Sequence, residues 1–282
     1  MAEVLWHDSP EFEKYGRLDF LYKRISGFDM FYRDQGNGIP LVFLHGFPLT
    51  GDIWDPQIKA LSAKARVIVP DLRGFGKSGV TPGTYTMELY AQDLKKLLET
   101  IGINKAVLAG ISMGGYIAFA FYRLFPSSVR ALVLLDTKAG ADSEEGKKGR
   151  ITLAQRARSG EMDKIADEWA GRLFAPSTIK TRPEIVRTVR DGVLNTSPEA
   201  IANASLGMME RQDSTPLLGS ITCPVLIMVG EEDRLAPVEE ARLMASQIKN
   251  ARLEIIKGAG HLSCLEAPEA VNESMLKFLS EL

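Results

Sequence analysis

Cysteine and histidine are scarce in this sequence. Its 282 residues include two cysteines, Cys223 and Cys264, which lack metal-ligand spacing and cannot build a disulfide framework. Cys223 precedes one predicted strand and Cys264 follows the end of the next. In a parallel sheet those positions lie at opposite ends, beyond the reach of a bridge. An excess of one charge is also missing. The 34 basic and 36 acidic residues leave a formal net charge of −2, which argues against a nucleic-acid or membrane-surface footprint. No apolar run approaches the ~20 residues that span a bilayer, and the acidic residues 1–14 contain no secretory apolar core. A cytoplasmic location is the expectation. There is no internal repeat or low-complexity segment.

Apolar residues make up 45% of the chain, enough for a full core, and the length suits one large α/β domain with an insertion. Strands are predicted over residues 25–35, 41–45, 67–70, 105–109, 131–135, 224–229 and 252–256. Helices are predicted over 54–64, 86–101, 115–125, 238–248 and 268–282. In the second of these, Leu89, Leu94, Leu97, Leu98 and Ile101 recur at helical spacing. Such alternation predicts a mostly parallel sheet flanked by helices. It stops at Asp136. Residues 137–215 are rich in charge and helix formers, broken at Gly160, Pro176, Pro183 and Pro198, with helices predicted over 143–158, 162–174, 183–194 and 198–210. This stretch is expected to be an inserted helical lid on a core made of residues 1–136 and 216–282.

The most informative segment is Gly110-Ile111-Ser112-Met113-Gly114, between the predicted strand 105–109 and the predicted helix 115–125. A serine on a tight strand-to-helix turn, with glycines two positions to either side, has the pattern of a nucleophile elbow. The turn brings helix and strand close together, and only small residues leave room. The Met113 N–H at the helix start can face a developing oxyanion. A serine hydroxyl needs a base, and the base needs an orienting carboxylate. His7 precedes every predicted strand and His45 ends an early one. His261 follows the last strand in Gly258-Ala259-Gly260-His261, at the sheet edge where sites form, and is the candidate base. Asp233, in Gly230-Glu231-Glu232-Asp233, is the preferred carboxylate, and Asp136 is the alternative. His45-Gly46-Phe47-Pro48 offers the Phe47 N–H as a second oxyanion donor, with His45 structural.

Other features carry less. Gly76-Lys77-Ser78 would need a glycine at position 71 to form a phosphate loop, and Asp71 stands there, so Asp71 and Arg73 are read as structural. Trp169, Phe174 and Met208 are candidates for the acyl pocket, whereas Phe119, Phe121 and Tyr122 are assigned to the core. Glu144, Glu145, Lys147, Lys148 and Arg150 form a solvated helix face.

Taken together, His45 to Pro48, Asp71 to Ser78, Gly110 to Gly115, Gly230 to Asp233 and Gly258 to His261 resemble the α/β-hydrolase superfamily, in the small-lid branch of carboxylesterases and enol-lactonases. The resemblance runs from about Ile25 to the end and leaves residues 1–24 without an assigned role. It implies an α/β-hydrolase fold, no cofactor and no metal. It also implies Ser112, Asp233 and His261 as catalytic residues and hydrolysis of a small-molecule ester; the sequence leaves both a monomer and a homodimer open. Related epoxide hydrolases and haloalkane dehalogenases carry aspartate as nucleophile, so Ser112 points to an acyl carbon. The alternatives are an enol-lactonase, with Arg172 or Arg211 pairing an anionic ring, a carbon–carbon bond hydrolase, or a ligand receptor with a vestigial triad.

Overall fold

The computed structural model describes residues 19–282. His7 and the rest of residues 1–18 lie outside that range. Among the described residues, eight strands form one sheet: β1 (Asp19–Ile25), β2 (Phe28–Gln35), β3 (Ile39–Leu44), β4 (Ala65–Pro70), β5 (Ala106–Ile111), β6 (Val129–Leu135), β7 (Val225–Gly230) and β8 (Ala251–Ile256). Their order across the sheet is β1-β2-β4-β3-β5-β6-β7-β8. The β1–β2 and β2–β4 pairs are antiparallel, and every pair from β4 to β8 is parallel. Every residue of β5 and of β7 is buried, the pattern of parallel strands covered on both faces. Edge strand β8 instead alternates in exposure, with only Ile256 fully buried.

The first predicted strand is corrected. Residues 25–35 are not one strand but the end of β1, a turn, and β2. Ser26 and Gly27 both have positive φ, 45° and 91°, and Ile25 pairs with Phe28. A two-residue turn with φ > 0 at both positions matches the twist of a hairpin, and the Ser-Gly dipeptide was its only local signal. Residues 19–24, which had no assigned role, therefore form most of the edge strand β1.

Three core helices follow the early strands: α1 (Asp55–Leu61), α2 (Met87–Thr100) and α3 (Met113–Leu124). The predicted helix from residue 54 is shorter than expected, because Gly51–Trp54 winds as a tight 3-10 turn before Pro56 enters α1. Thr86 caps α2 by accepting the Leu89 N–H. The apolar stripe of α2 is interrupted by Asp93, which is buried because Arg73 clasps it with bonds of 2.7 and 2.6 Å.

Between β6 and β7 lie α4 (Glu144–Arg158), α5 (Met162–Leu173), α6 (Pro176–Thr181), α7 (Pro183–Leu194) and α8 (Pro198–Met209), with no strand among them. The helix α6 was not predicted. Its six residues are too few for a periodic apolar pattern, although Pro176 sits at its first turn, where proline favours helix entry. Buried side chains of this insertion, including Ile165, Leu173, Phe174, Val193, Ile201 and Met208, belong to the same apolar cluster as the sheet. The chain closes with α9 (Val238–Gln247), α10 (Ser263–Glu266) and α11 (Pro268–Leu279). Cys223 and Cys264 are both free thiols. Among the described residues, no helix is long and apolar enough to cross a membrane.

The insertion is pinned to the core along α8. Tyr85 donates its N–H to Asn203 O at 3.1 Å, and a Cβ on Gly207 would run into the Tyr85 carbonyl. Backbone cannot yield there as a side chain would. Gly207→Ala is expected to lower stability by about 1–3 kcal/mol. By contrast, Gly192→Ala in α7, where a Cβ meets nothing within 4 Å, is expected to raise it by about 0.4–1 kcal/mol. Denaturant midpoints of the two variants check this opposition of sign.

Candidate active site

Ser112 lies between the last residue of β5 and the first of α3, at φ 53° and ψ −115°. A non-glycine residue in this region costs about 1–3 kcal/mol and needs its surroundings to hold it. Ser112 N–H donates to Leu135 O on β6 at 3.0 Å, and Thr137 Oγ1 donates to Ser112 O at 2.8 Å. Small neighbours make the turn feasible. A Cβ on Gly110 would strike the Gly114 backbone, one on Gly114 would strike the Leu44 carbonyl, and one on Gly115 would overlap Thr137. The Ser112 side chain remains partly exposed at the carboxyl edge of the sheet.

The loop after β3 approaches from the neighbouring strand end. A Cβ on Gly46 would lie 3.3 Å from Ser112 Cβ, so the lack of a side chain there brings this backbone against the serine. His45 fixes the loop. Its Nε2 accepts the Leu72 N–H at 3.0 Å, which leaves Nδ1 to donate to Gly46 O at 2.9 Å. Burial lowers the His45 pKa to about 4, against the opposing pull of the Gly46 carbonyl, so the ring is neutral and structural. Among the described residues the Phe47 N–H has no acceptor. Met113, as the first residue of α3, has an N–H with no acceptor inside its own helix.

Asp71 and Arg73 are structural, as the sequence suggested. Asp71 Oδ1 accepts the Gly51 N–H and Oδ2 the Lys77 N–H, both at 2.8 Å, so it organises the loop after β4. Burial, opposed by those two bonds, pushes its carboxyl up to about 6.

The two candidate carboxylates separate clearly. Asp233 Oδ2 lies 2.8 Å from His261 Nδ1, and its Oδ1 accepts the Leu235 and Ala236 N–H groups at 2.8 and 3.0 Å. Asp136 does not bond the histidine. Its Oδ1 accepts the Gly230 N–H at 2.8 Å, and its Oδ2 meets Ser263 Oγ at 2.6 Å and Ser263 N–H at 3.2 Å. Asp136 thus ties the end of β7 to the helix after His261, from a positive φ of 44°. Burial first, and then the nearby Asp233 charge, push its carboxyl up to about 8.

His261 is buried, which by itself would lower its pKa. The Asp233 charge and hydrogen bond, with smaller contributions from Asp136 and Glu266, outweigh that and raise it. With Nδ1 engaged by Asp233, Nε2 is the nitrogen available to a substrate or to Ser112. No hydrogen bond joins Ser112 Oγ to His261 in this structure.

Of the pocket candidates, Trp169 on α5 is partly exposed and packs edge-on against Phe47, with ring centres 5.3 Å apart. Phe174 and Met208 are buried in the apolar cluster, at 5% and 1% exposure. Arg211 is not a free partner for an anionic substrate. Its Nη1 binds Asp142 at 2.9 Å and Met208 O at 3.0 Å, its Nη2 binds Gly140 O at 2.9 Å, and its guanidinium covers the Tyr116 ring. Arg172 differs: it is exposed, with its guanidinium 5.6 Å from the Trp169 ring. Thr137 and Glu266 were missed by sequence reasoning. Thr137 donates one bond to the Ser112 backbone 25 positions back, and Glu266 accepts the N–H groups of Gly260 and of Ala175, the latter 91 positions back, and neither arrangement leaves a recognisable local pattern. Among the described residues, no cluster of side chains is suited to a metal ion.

Residues 39–268 match a family described as alpha/beta hydrolase fold. A thermophilic esterase from Thermogutta terrifontis is 41% identical, with a TM-score of 0.90 over 93% of this chain and 98% of the esterase. The enol-lactonase from Burkholderia xenovorans LB400 is 28% identical, with a TM-score of 0.86 over 92% of this chain and all of that one. The 3-oxoadipate enol-lactonase 2 of Acinetobacter baylyi is 29% identical over 241 residues, 86% of this chain and 88% of that enzyme. The sheet order, the serine turn and this match along most of the sequence agree, and the chain belongs to the α/β-hydrolase fold family.

Proposed function

We propose that this protein is a serine hydrolase of carboxylic esters. The observation that carries the reading is the 2.8 Å pair of His261 and Asp233 at the same sheet edge as the strained Ser112 turn. Ser112 attacks the acyl carbon while His261 takes its proton through Nε2. Asp233 holds the imidazole in the required tautomer and stabilises the imidazolium that forms. The N–H groups of Phe47 and Met113 receive the oxyanion, each contributing roughly 3 kcal/mol in a site of this kind. His261 then protonates the leaving alcohol, and a water activated by the same ring releases the acid from Ser112. No step calls for a cofactor. The insertion acts as the lid, and Trp169 on α5 borders the acyl site through its contact with Phe47.

A second reading, an enol-lactonase, has one observation in its favour. The exposed Arg172 lies one aromatic ring away from Phe47 and offers a cation to an anionic ring. Faster turnover of an anionic enol-lactone than of neutral esters, lost in Arg172→Ala, would select that reading.

The test is a p-nitrophenyl ester series from acetyl to palmitoyl. Ser112→Ala is expected to remove nearly all turnover while the circular dichroism spectrum stays unchanged. Asp233→Asn is expected to lower kcat by roughly four orders of magnitude, the effect of losing the orienting carboxylate of such a triad. Asp136→Asn is expected to cost less, because its bonds go to Gly230 and Ser263. Retained turnover in Ser112→Ala, or a larger loss in Asp136→Asn, would overturn the assignment.

The pH dependence has a definite sign. His261 serves as base only when neutral, and its pKa lies above the ordinary histidine value of about 6.5. Activity is therefore expected to rise with pH, with kcat/KM reaching half its plateau above about pH 6.5. A pH–rate profile measures that midpoint directly.

A further inference from the structure

Behind His261 lies a buried carboxyl group that the proposed reaction does not use. Glu266, at the end of α10, is 7% exposed. Its Oε1 accepts the N–H of Gly260 at 2.8 Å, and its Oε2 accepts the N–H of Ala175 at 2.9 Å. Gly260 immediately precedes His261, and Ala175 joins α5 to α6 in the insertion. One side chain thus bridges the insertion and the loop that carries the proposed base.

Further bonds cross the same junction. The His261 N–H donates to Leu173 O at 3.0 Å. Arg182, just before α7, donates through Nη2 to Glu266 O at 2.7 Å and through Nη1 to Leu265 O at 3.4 Å. The approach is close: a Cβ on Gly260 would lie 2.5 Å from Ala175 N and 2.8 Å from the Phe174 carbonyl carbon. On the same helix α5, Trp169 packs against Phe47. A single helix of the insertion therefore touches both the proposed oxyanion loop and the loop of the proposed base.

Opening this junction would break the bonds from the Ala175 N–H to Glu266 and from the His261 N–H to Leu173 O, while the Gly260 N–H stays bonded to Glu266 within the same loop. In a low-dielectric interior such a network is stable when every member is paired and costly when it is half made.

We propose that Glu266 is a positioning residue that latches the lid to the His261 loop, so that the base is held in place only while the α5–α6 junction is closed. The proposal rests on the reading of His261 as the base. The Glu266 charge also adds to the pull of Asp233 and Asp136 that raises the His261 pKa.

The test variant is Glu266→Gln, which keeps the shape but turns an NH2 group toward a backbone N–H. Full-length wild type and variant are compared on p-nitrophenyl butyrate, with amide hydrogen exchange followed at Ala175 and Gly260. In the variant kcat is expected to fall by about tenfold to a hundredfold, the scale of a slightly misplaced catalytic group, with a smaller change in KM. Exchange should quicken at both amides and stay unchanged along α8. The acid limb of the pH profile should move to lower pH, a change that mere loss of stability would not produce. Wild-type kcat in the variant, or a lowered kcat with wild-type exchange at Ala175 and Gly260, would overturn the latch. Should Glu266→Gln fail to fold, Arg182→Met decides, since it removes two donors from the junction and leaves the carboxyl in place. Faster exchange and lower kcat support the latch there, and wild-type values overturn it. Wild-type protein that does not cleave p-nitrophenyl butyrate would count against the esterase reading, and the exchange arm would then decide the latch alone.

Discussion

Ser112 occupies a backbone conformation that an L-residue avoids, and the architecture around it is arranged to hold it there. The turn needs α3 to start almost against β5 and the end of β3, which is why glycine stands at 110, 114 and 115. It also needs hydrogen bonds from both sides, supplied by Leu135 at the end of β6 and by Thr137 just beyond it. The central strands β3, β5 and β6 are buried and parallel, so their carboxyl ends line up at one edge. The strain of about 1–3 kcal/mol is thereby spread over a rigid frame rather than a flexible loop.

The loops that complete the site are fastened by buried polar groups rather than by apolar packing alone. His45 ties the loop after β3 to Leu72, Asp71 ties the loop after β4 to Gly51, Asp136 ties β7 to Ser263, and Glu266 ties the insertion to Gly260. Each makes directional bonds to backbone, which fix a position more narrowly than contact between apolar surfaces does. The charges are arranged with equal care. His45 is kept neutral by its burial. Burial, and then the nearby Asp233 charge, push the Asp136 carboxyl up to about 8. Among the described residues, Asp233 alone bonds the His261 ring directly.

Much of this was legible in the sequence, because the signals were local. The serine turn, the histidine after the last strand and the loop at 45–48 each show as a short pattern next to a predicted strand end. The alternation of strands and helices and its interruption at Asp136 follow from periodicity. What escaped was either short or distant. The Ser26-Gly27 hairpin and the six-residue α6 are too brief to show a period. Arg211 was open to pairing an anionic ring because its partner Asp142 lies far back in sequence.

Residue order by itself determined the fold class, the nucleophile candidate and the edge of the sheet where the candidate residues gather. Those depend on patterns within a few residues of each other and on the rule that parallel strands share one carboxyl edge. Only the tertiary structure shows that Asp233, and not Asp136, bonds the His261 ring. Both stand at strand ends on the correct edge, and they differ by which one points at His261 Nδ1. It likewise decided that Glu266 reaches Ala175 across 91 positions of chain. A hydrogen bond at that separation depends on the packing of the whole core, and no local stretch of sequence encodes it.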